Sequence, residues 1–371
     1  METKATTEIT FLSNFSWNNP NVLELLCESA AFNNFKVRHF SKPRSILKTK
    51  NNFKNCSSID GIEAKNLLNL STRITTLPLG GRMQNYFLWK QIKPKCHKRV
   101  KKILFYNNLE SLSGLSEKFK SYFDILIYLC ADYTEINDLL LFNCNLADGI
   151  FVIPPTMYQL LQQRYPEKSL ILWPQPVTST FNSPLKRNQK VKLDKILEEI
   201  PQPRLIYAGL GVGRLNSEIY QSIPSRFPSC SFISFGGTEF QRKKNLFEIP
   251  SVSKQEMLYI ISQCQVGFMP YDISDPHNLH CVPLKLFDYF SAGLPVVSSK
   301  LLNIYQYKEL LFLCETFEEF ECAIQKSLCE EISSETRERR KAVYSFHSTL
   351  KRSDEFKSCI NQFVKGSKLY A

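Results

Sequence analysis

The sequence predicts an α/β protein in two halves, each a parallel sheet with helices on both faces. Three observations carry that expectation. Short apolar, β-branched and aromatic runs alternate with segments of helical periodicity, as in strands joined by crossover helices. The chain has 371 residues, more than one ordinary core organises. The stretch WPQPVTSTFNSPLKRNQKVK, Trp173 to Lys192, then interrupts the alternation with prolines, small polar residues and lysines, as a linker does.

In the first half, EITFLSNF, KILFYNN, FDILIYLC and DGIFVIPP read as strands, with NVLELLCESAAFNN and TEINDLLLFNCN as helices between them. Beyond the linker, RLIYAGL, CSFISFGG, VGFMPY and LPVVSS read as strands, separated by the helical segments NSEIYQSIPSRF and SKQEMLYIISQC. The closing segment, SETRERRKAVYSFHSTLKRSDEFKSCINQFVKG, reads as amphipathic helix that follows the second sheet.

Composition narrows the class. With 43% hydrophobic and 12% aromatic residues the chain has ample material for cores, which argues against disorder outside short linkers. Twelve cysteines are scattered with no CxxC pair, so they read as reduced core thiols of a cytoplasmic protein. The start, METKATTEITFLSNF, lacks a basic stretch followed by an apolar one, and no run approaches the roughly 18 apolar residues of a membrane span. A formal charge of +12 points to a polyanionic neighbour. Two stretches concentrate it, Lys36 to Lys54 and Lys90 to Lys102. They read either as solvated loops or as one basic face toward nucleic acid or an anionic membrane. A zinc-finger, RRM or homeodomain signature is absent.

The stretch HNLHCVPLKLFDYFSAGLPVVSS, His277 to Ser299, carries the most chemistry. Pro283 suits the start of a helix and Gly293 the left-handed residue past its end, so Leu284 to Ala292 should be helical, with Leu286, Phe287 and Phe290 as its buried stripe. Lys285 falls in the first turn, where a cation opposes the helix dipole at a cost of about 0.3–1 kcal/mol unless an anion is near. Asp288 lies three residues on, so lysine and carboxylate are expected to face one space. Lysine plus helix N-terminus suits a phosphate and a carboxylate suits a vicinal diol, which a nucleoside diphosphate offers together. A lone surface ion pair is the plainer alternative.

VPLKLFDYFSAGLPVVSS closely resembles the nPlKlfEYlAaGkPVV signature of GT-B glycosyltransferases, enzymes of two Rossmann-like domains that transfer sugars from nucleotide donors. Other pieces follow in the family's order. RLIYAGLGVGRLNSEIYQSIPSRFPSCSFISFGG looks like the first β-loop-α-β of the donor domain, and VSKQEMLYIISQCQVGFMPYDIS like the helix and strand before the signature. LWPQPVTSTF is similar to the family linker, with Gln175 and Pro176 in place of its usual asparagine and glycine. ILIYLCADYTE and ADGIFVIPP resemble acceptor-domain strands. The resemblance covers most of residues 100 to 350, is most specific at Pro283 to Ser299 and is weak before Lys90. It is to bacterial family 1 and family 4 type transferases, among them the GumK-type glucuronosyltransferases of xanthan assembly. What it implies is an acceptor-binding domain over 1–175, a nucleotide-sugar donor domain over 176–345 across a cleft, and a helix over 346–371 that crosses back to the first domain.

By resemblance, Asp288 matches the second glutamate of the family's EX7E motif, which holds the donor ribose. Its partner eight residues earlier is His280, where many retaining members have glutamate. His280 is either a sugar contact or a packing residue, and His277 has less support. Lys285 matches the lysine that contacts the donor diphosphate. The run GLGVGR sets Gly209, Gly211, Gly213 and Arg214 between strand and helix, where backbone can approach a phosphate or simply turn. It is not a G-x-G-x-x-G. Gly236 and Gly237 end the next strand, and Tyr271 either lines the same site or packs. An inverting transfer needs a base, and Asp132 in LCADYTE resembles the second aspartate of a vYdcvDd pattern in related transferases. Glu135 is the other choice, and capping the next helix is the structural alternative for Asp132.

Neither a metal nor a cofactor is expected, the nucleotide-sugar being a substrate, and no His/Cys/Asp cluster has metal-ligand spacing. The leading reading is a metal-independent hexosyltransferase at the cytoplasmic face of a membrane, acting on a lipid-linked or cell-surface glycan acceptor in polysaccharide biosynthesis. A nucleotide-sugar epimerase on the same scaffold and a basic nucleic-acid-binding protein are the alternatives. The last leaves the Lys285/Asp288 helix unexplained.

Overall fold

The computed structural model describes residues 7–13, 22–45, 62–69, 79–93, 100–107, 110–178, 185–210, 213–235, 244–250, 252–329 and 333–366. Contacts divide the chain into two units, Met1–Thr178 with Thr349–Ala371, and Ser179–Ser348.

The first unit runs β1 (Thr7–Leu12), α1 (Val22–Phe32), β2 (Lys36–Ser45), β3 (Ile62–Asn69), α2 (Gly80–Ile92), β4 (Lys101–Tyr106), α3 (Ser116–Tyr122), β5 (Ile125–Cys130), α4 (Asp138–Leu146), β6 (Gly149–Val152), α5 (Pro155–Arg164) and β7 (Ser169–Leu172). Its strands form one sheet in the order β3-β2-β1-β4-β5-β6-β7, every recorded pairing parallel. Alternation along β5 explains its apolar sequence. Leu126, Tyr128 and Cys130 enter the core on one face with Leu104 and Tyr106, while Ile125, Ile127 and Leu129 enter the other with Ile103 and Phe105.

The described part of the basic stretch Lys36 to Lys54 is not a loop. Lys36–Ser45 is β2, a strand inside the sheet, with Arg38 and His39 buried. Two of its cations have a partner within the sheet: the buried Glu8 carboxylate of β1 lies 2.8 Å from the Lys36 ammonium and 3.5 Å from the Arg38 guanidinium. Arg38 also donates to the Ile92 carbonyl at 3.0 Å. Residues 46–54 lie outside the described residues.

The second unit runs α6 (Arg187–Glu198), β8 (Arg204–Leu210), α7 (Ser217–Arg226), β9 (Ser231–Phe235), β10 (Leu246–Ile249), α8 (Lys254–Ser262), β11 (Val266–Met269), α9 (Pro276–Leu279), α10 (Leu284–Ser291), β12 (Val296–Ser299), β13 (Phe312–Cys314), α11 (Phe317–Cys329) and α12 (Ser334–Phe346). The last helix, α13 (Ser353–Gly366), belongs to the first unit. The second sheet, also parallel, has the order β10-β9-β8-β11-β12-β13. The linker expected up to Lys192 is shorter than that, because Arg187–Glu198 is helical and buries Leu193 and Leu197.

The closing helical segment is two helices rather than one. α12 ends at His347, whose ring lies 4.3 Å from that of Phe287 and whose Nε2 is 2.8 Å from the Tyr307 hydroxyl. The chain then re-enters the first unit at Thr349, whose N–H donates to the Val177 carbonyl at 3.0 Å. The Thr349 hydroxyl donates to Glu28 of α1 at 2.9 Å, and that of Thr178 donates to the other oxygen of the same carboxylate at 3.4 Å. α13 then buries Phe356, Ile360 and Phe363 with Phe105, Phe151 and Trp173.

Both sheets share one logic. The chain starts in the middle, runs outward by two strands, then returns to the other side of its first strand. The reversal falls between β1 and β4 in one sheet and between β8 and β11 in the other, and open α/β sheets bind ligands outside the carboxyl ends of strands at such a point.

Candidate functional site

The loops that leave β8 and β11 are tied together at the second unit's reversal point. Leu215 and Tyr271 form an antiparallel bridge, the Asn216 N–H donates to the Pro270 carbonyl at 2.8 Å, and the Asp272 N–H to the Arg214 carbonyl at 3.0 Å. Asn278 of α9, buried, pins the crossing by donating its side-chain amide to the carbonyls of Arg214 at 3.2 Å and Asp272 at 2.9 Å.

α10 brings its charges to this point because its other faces are fixed. Leu286, Phe287 and Phe290 are buried, and Gly293 closes the helix at φ 72°, a conformation costly for side chains other than glycine's. The buried Tyr289 hydroxyl accepts from the Ala208 N–H at 2.8 Å and donates to the Ile206 carbonyl at 3.0 Å, locking α10 to β8. Lys285 then reaches along the strand end. Its ammonium donates to the Tyr271 hydroxyl at 3.1 Å and lies 5.1 and 5.5 Å from the ring centres of Tyr207 and Tyr271. Gly209 leaves the room for it: a Cβ there would meet Lys285 Cε at 2.4 Å.

Tyr271 is buried, and burial pushes its hydroxyl well above the ordinary phenol range, with Arg214 pulling the other way through its charge and a hydrogen bond. The phenol therefore stays neutral at physiological pH and can accept from both cations. Arg214 also meets His277 through Nη2 and Nε2. Neither Lys285 nor Arg214 is ion-paired to a carboxylate among the described residues. Two cations on one neutral oxygen, without a counter-ion, suit a multiply charged anion such as a diphosphate.

Asp288 stands apart from this pair. Its carboxylate is buried, and Oδ2 is 2.6 Å from the ammonium of Lys254 in the first turn of α8. The sequence places Lys285 and Asp288 in one space, whereas the structure gives them different partners, because α8 packs against α10 and supplies a cation that sequence proximity does not show. His280 follows α9, half-buried, and burial holds its imidazole below the usual histidine range. Its carbonyl accepts from the Asn303 side chain at 2.6 Å. Gly213 is described and has open space about it, while Gly211, Gly236 and Gly237 lie outside the described residues.

In the first unit, Asp132 is exposed just past the carboxyl end of β5, with Glu135 exposed three residues on. Asp132 does not cap α4. Asn137 does, its side chain accepting from the Leu140 N–H at 2.8 Å. Among the described residues no group of three or more His, Cys, Asp or Glu side chains is placed to hold a metal ion. The sequence reading missed Lys254, Asn278 and Tyr207, and gave His277 little weight. Only the crossing of the β8 and β11 loops and the packing of α8 on α10 bring them to the site. The alternation of strands and helices was the one signal that could have found them.

No family model matches this chain, and no curated protein does. Solved structures do resemble it. Trehalose-6-phosphate synthase of E. coli, bound with UDP-2-fluoroglucose, superposes with a TM-score of 0.67 at 9% identity, over 96% of this chain and 99% of that one. Sucrose-phosphate synthase of Thermosynechococcus elongatus gives 0.67 at 13% identity, over 97% and 100%. Anabaena HepE in complex with UDP and glucose gives 0.66 at 13%, over 96% and 99%. These neighbours are GT-B glycosyltransferases, and the chain has their fold, two parallel α/β sheets with flanking helices.

Proposed function

We propose that the protein is a glycosyltransferase that moves a sugar from a nucleotide-sugar donor to an acceptor hydroxyl. The observation that carries this reading is the convergence of Lys285 and Arg214 on Tyr271, outside the strand ends at the reversal of the second sheet. The UDP and UDP-sugar held by the structural neighbours support it. In this reading the two cations take the diphosphate, both in the bound donor and as negative charge grows on the leaving group, so the reaction is metal-independent. Asp288, aligned by Lys254, accepts from the ribose hydroxyls, Gly209 leaves Lys285 the room to reach the diphosphate, and Gly211 and Gly237 are further donor contacts. His280, neutral through burial, contacts the transferred sugar, in the hexosyltransferase manner. Asp132 takes the acceptor proton in an inverting transfer. The acceptor is lipid-linked or a cell-surface glycan, the role is surface-polysaccharide synthesis of the GumK type, and the protein is peripheral on the inner face of an anionic membrane. No helix among the described residues is long and apolar enough to cross a membrane.

The test is release of free nucleoside diphosphate from a nucleotide-sugar panel, with and without acceptor glycolipid. Release that requires both substrates, and that Lys285→Ala lowers about 10-fold or more, supports transfer. Sugar interconversion without free diphosphate would replace transfer by epimerisation, and an unaffected Lys285→Ala would remove the diphosphate assignment.

A further inference from the structure

We infer that the outward face of α2 is the surface by which the protein docks on an anionic lipid bilayer. This names the membrane contact within the proposed function and rests on that reading for the choice of a membrane, yet it moves the contact away from β2. Leu88, Trp89 and Ile92 fix one face of α2 in the core, Trp89 edge-on to Tyr122 at 5.0 Å. The opposite stripe recurs at Leu79, Met83, Tyr86 and Lys90, and its three apolar members are 65%, 55% and 57% exposed. With Arg82 and Phe87 they line an open hollow of about 460 Å³. Scattered single apolar side chains on a surface mean nothing, but a contiguous stripe does.

Charge says what covers it. From Ala64 to Leu109 the sequence carries ten Lys or Arg and no Asp or Glu. Lys90 lies 5.3 Å from the ring of Tyr86, and Lys93 and Lys102 lie 4.8 and 5.7 Å from that of Tyr122. Lys90 thus extends the apolar stripe itself, while Lys93 and Lys102 stand on the flank of α2 where Tyr122 packs on Trp89; among the described residues none of these three is ion-paired to a carboxylate, although Lys101 beside them lies 3.9 Å from Asp124. Nucleic acid would use the cations and leave Leu79 and Met83 in water. A bilayer interface uses both, apolar side chains entering the acyl boundary and cations meeting lipid phosphates at the headgroup level.

Flotation of the full chain with vesicles tests this, using phosphatidylserine in phosphatidylcholine against phosphatidylcholine alone, at low and high salt. The chain should float with the anionic vesicles at low salt, and less at high salt. Replacing Lys90 and Lys93 with Gln should weaken binding about fivefold for each lysine. The pair L79N and M83E should weaken it about tenfold or more. Both substitutions are at exposed positions, and Asn suits the positive φ of Leu79. The thermal shift given by UDP, read in the same variants, should not change. Equal flotation with neutral vesicles, none with either, or wild-type binding by the L79N/M83E variant would overturn the inference. So would tighter binding to double-stranded DNA than to the vesicles that this variant leaves unchanged. Loss of the UDP shift in the wild-type chain with flotation intact would instead count against the transferase reading alone.

Discussion

Arg38 in the first sheet and Lys285 in the second are both cations held by their own fold, and they are held in opposite ways. Arg38 is buried within β2, beside the carboxylate of Glu8, so its charge is cancelled where it stands. Lys285 leans past Gly209 to a neutral phenol at a strand end, with Arg214 on the same oxygen, so its charge is kept for something else. The carboxyl ends of the two sheets carry different side chains as well: Asp132 and Glu135 lie exposed after β5, whereas Arg214 and Lys285 meet at Tyr271 beside β8 and β11, with Asp272 and Asp275 following. One strand order therefore carries two different sets of side chains at its edges, and function is read from those rather than from the order.

The largest expected effect is on turnover. Asp132→Asn should lower it by about 10²–10⁴-fold while donor affinity is unchanged, since in the proposed reading Asp132 acts on the acceptor and not on the donor. A β-linked product from an α-linked donor, read by NMR, should accompany this; an α-linked product would end the base assignment. Next comes Arg38→Ala, which removes one of the two cations on a buried carboxylate, Lys36 remaining, and should cost about 1–3 kcal/mol in chemical denaturation. UDP affinity should not follow it, and if it did the separation between cancelled and available charge would be false. Asp288→Ala should weaken nucleotide-sugar binding by about 1–3 kcal/mol, and Lys254→Ala by less, because it orients the acceptor rather than supplying it. Equal losses in calorimetry would mean that the two act only as a pair.

The smallest effect concerns pH. Burial lowers the imidazole pKa of His280 below the ordinary 6.5. Between the lowered value and 6.5 the unfolded chain binds a proton that the folded one does not, so stability is complete above 6.5 and falls as pH drops toward the folded value. His280→Gln should flatten that slope in melting curves. An unchanged slope would assign it elsewhere.

How much of this was readable depends on where each side chain spends its polarity. β5 and β11 were plain because ILIYLC and VGFM are apolar on both faces, and α10 was plain because Pro283 and Gly293 punctuate it. β2 was not, because KVRHFSKPRS carries Lys36 and Arg38, whose pairing with Glu8 only the neighbouring strand reveals. β7, β10 and β13 are strands of three or four residues that the pattern does not separate from loops. Within the site, Lys285, Arg214 and Tyr271 were named from sequence, but their meeting was not. Lys254 was invisible, since Asp288 takes it from a helix 34 residues earlier.

Glu28 has one more consequence. The chain leaves the first unit at Thr178 and comes back at Thr349, and both residues are fastened to that single carboxylate, with Val177 and Thr349 already joined backbone to backbone. In topological terms the second unit is set inside the first, between Thr178 and Thr349, ahead of α13. The interruption costs the first unit little, because the two ends it leaves lie side by side and need only a short bridge to close.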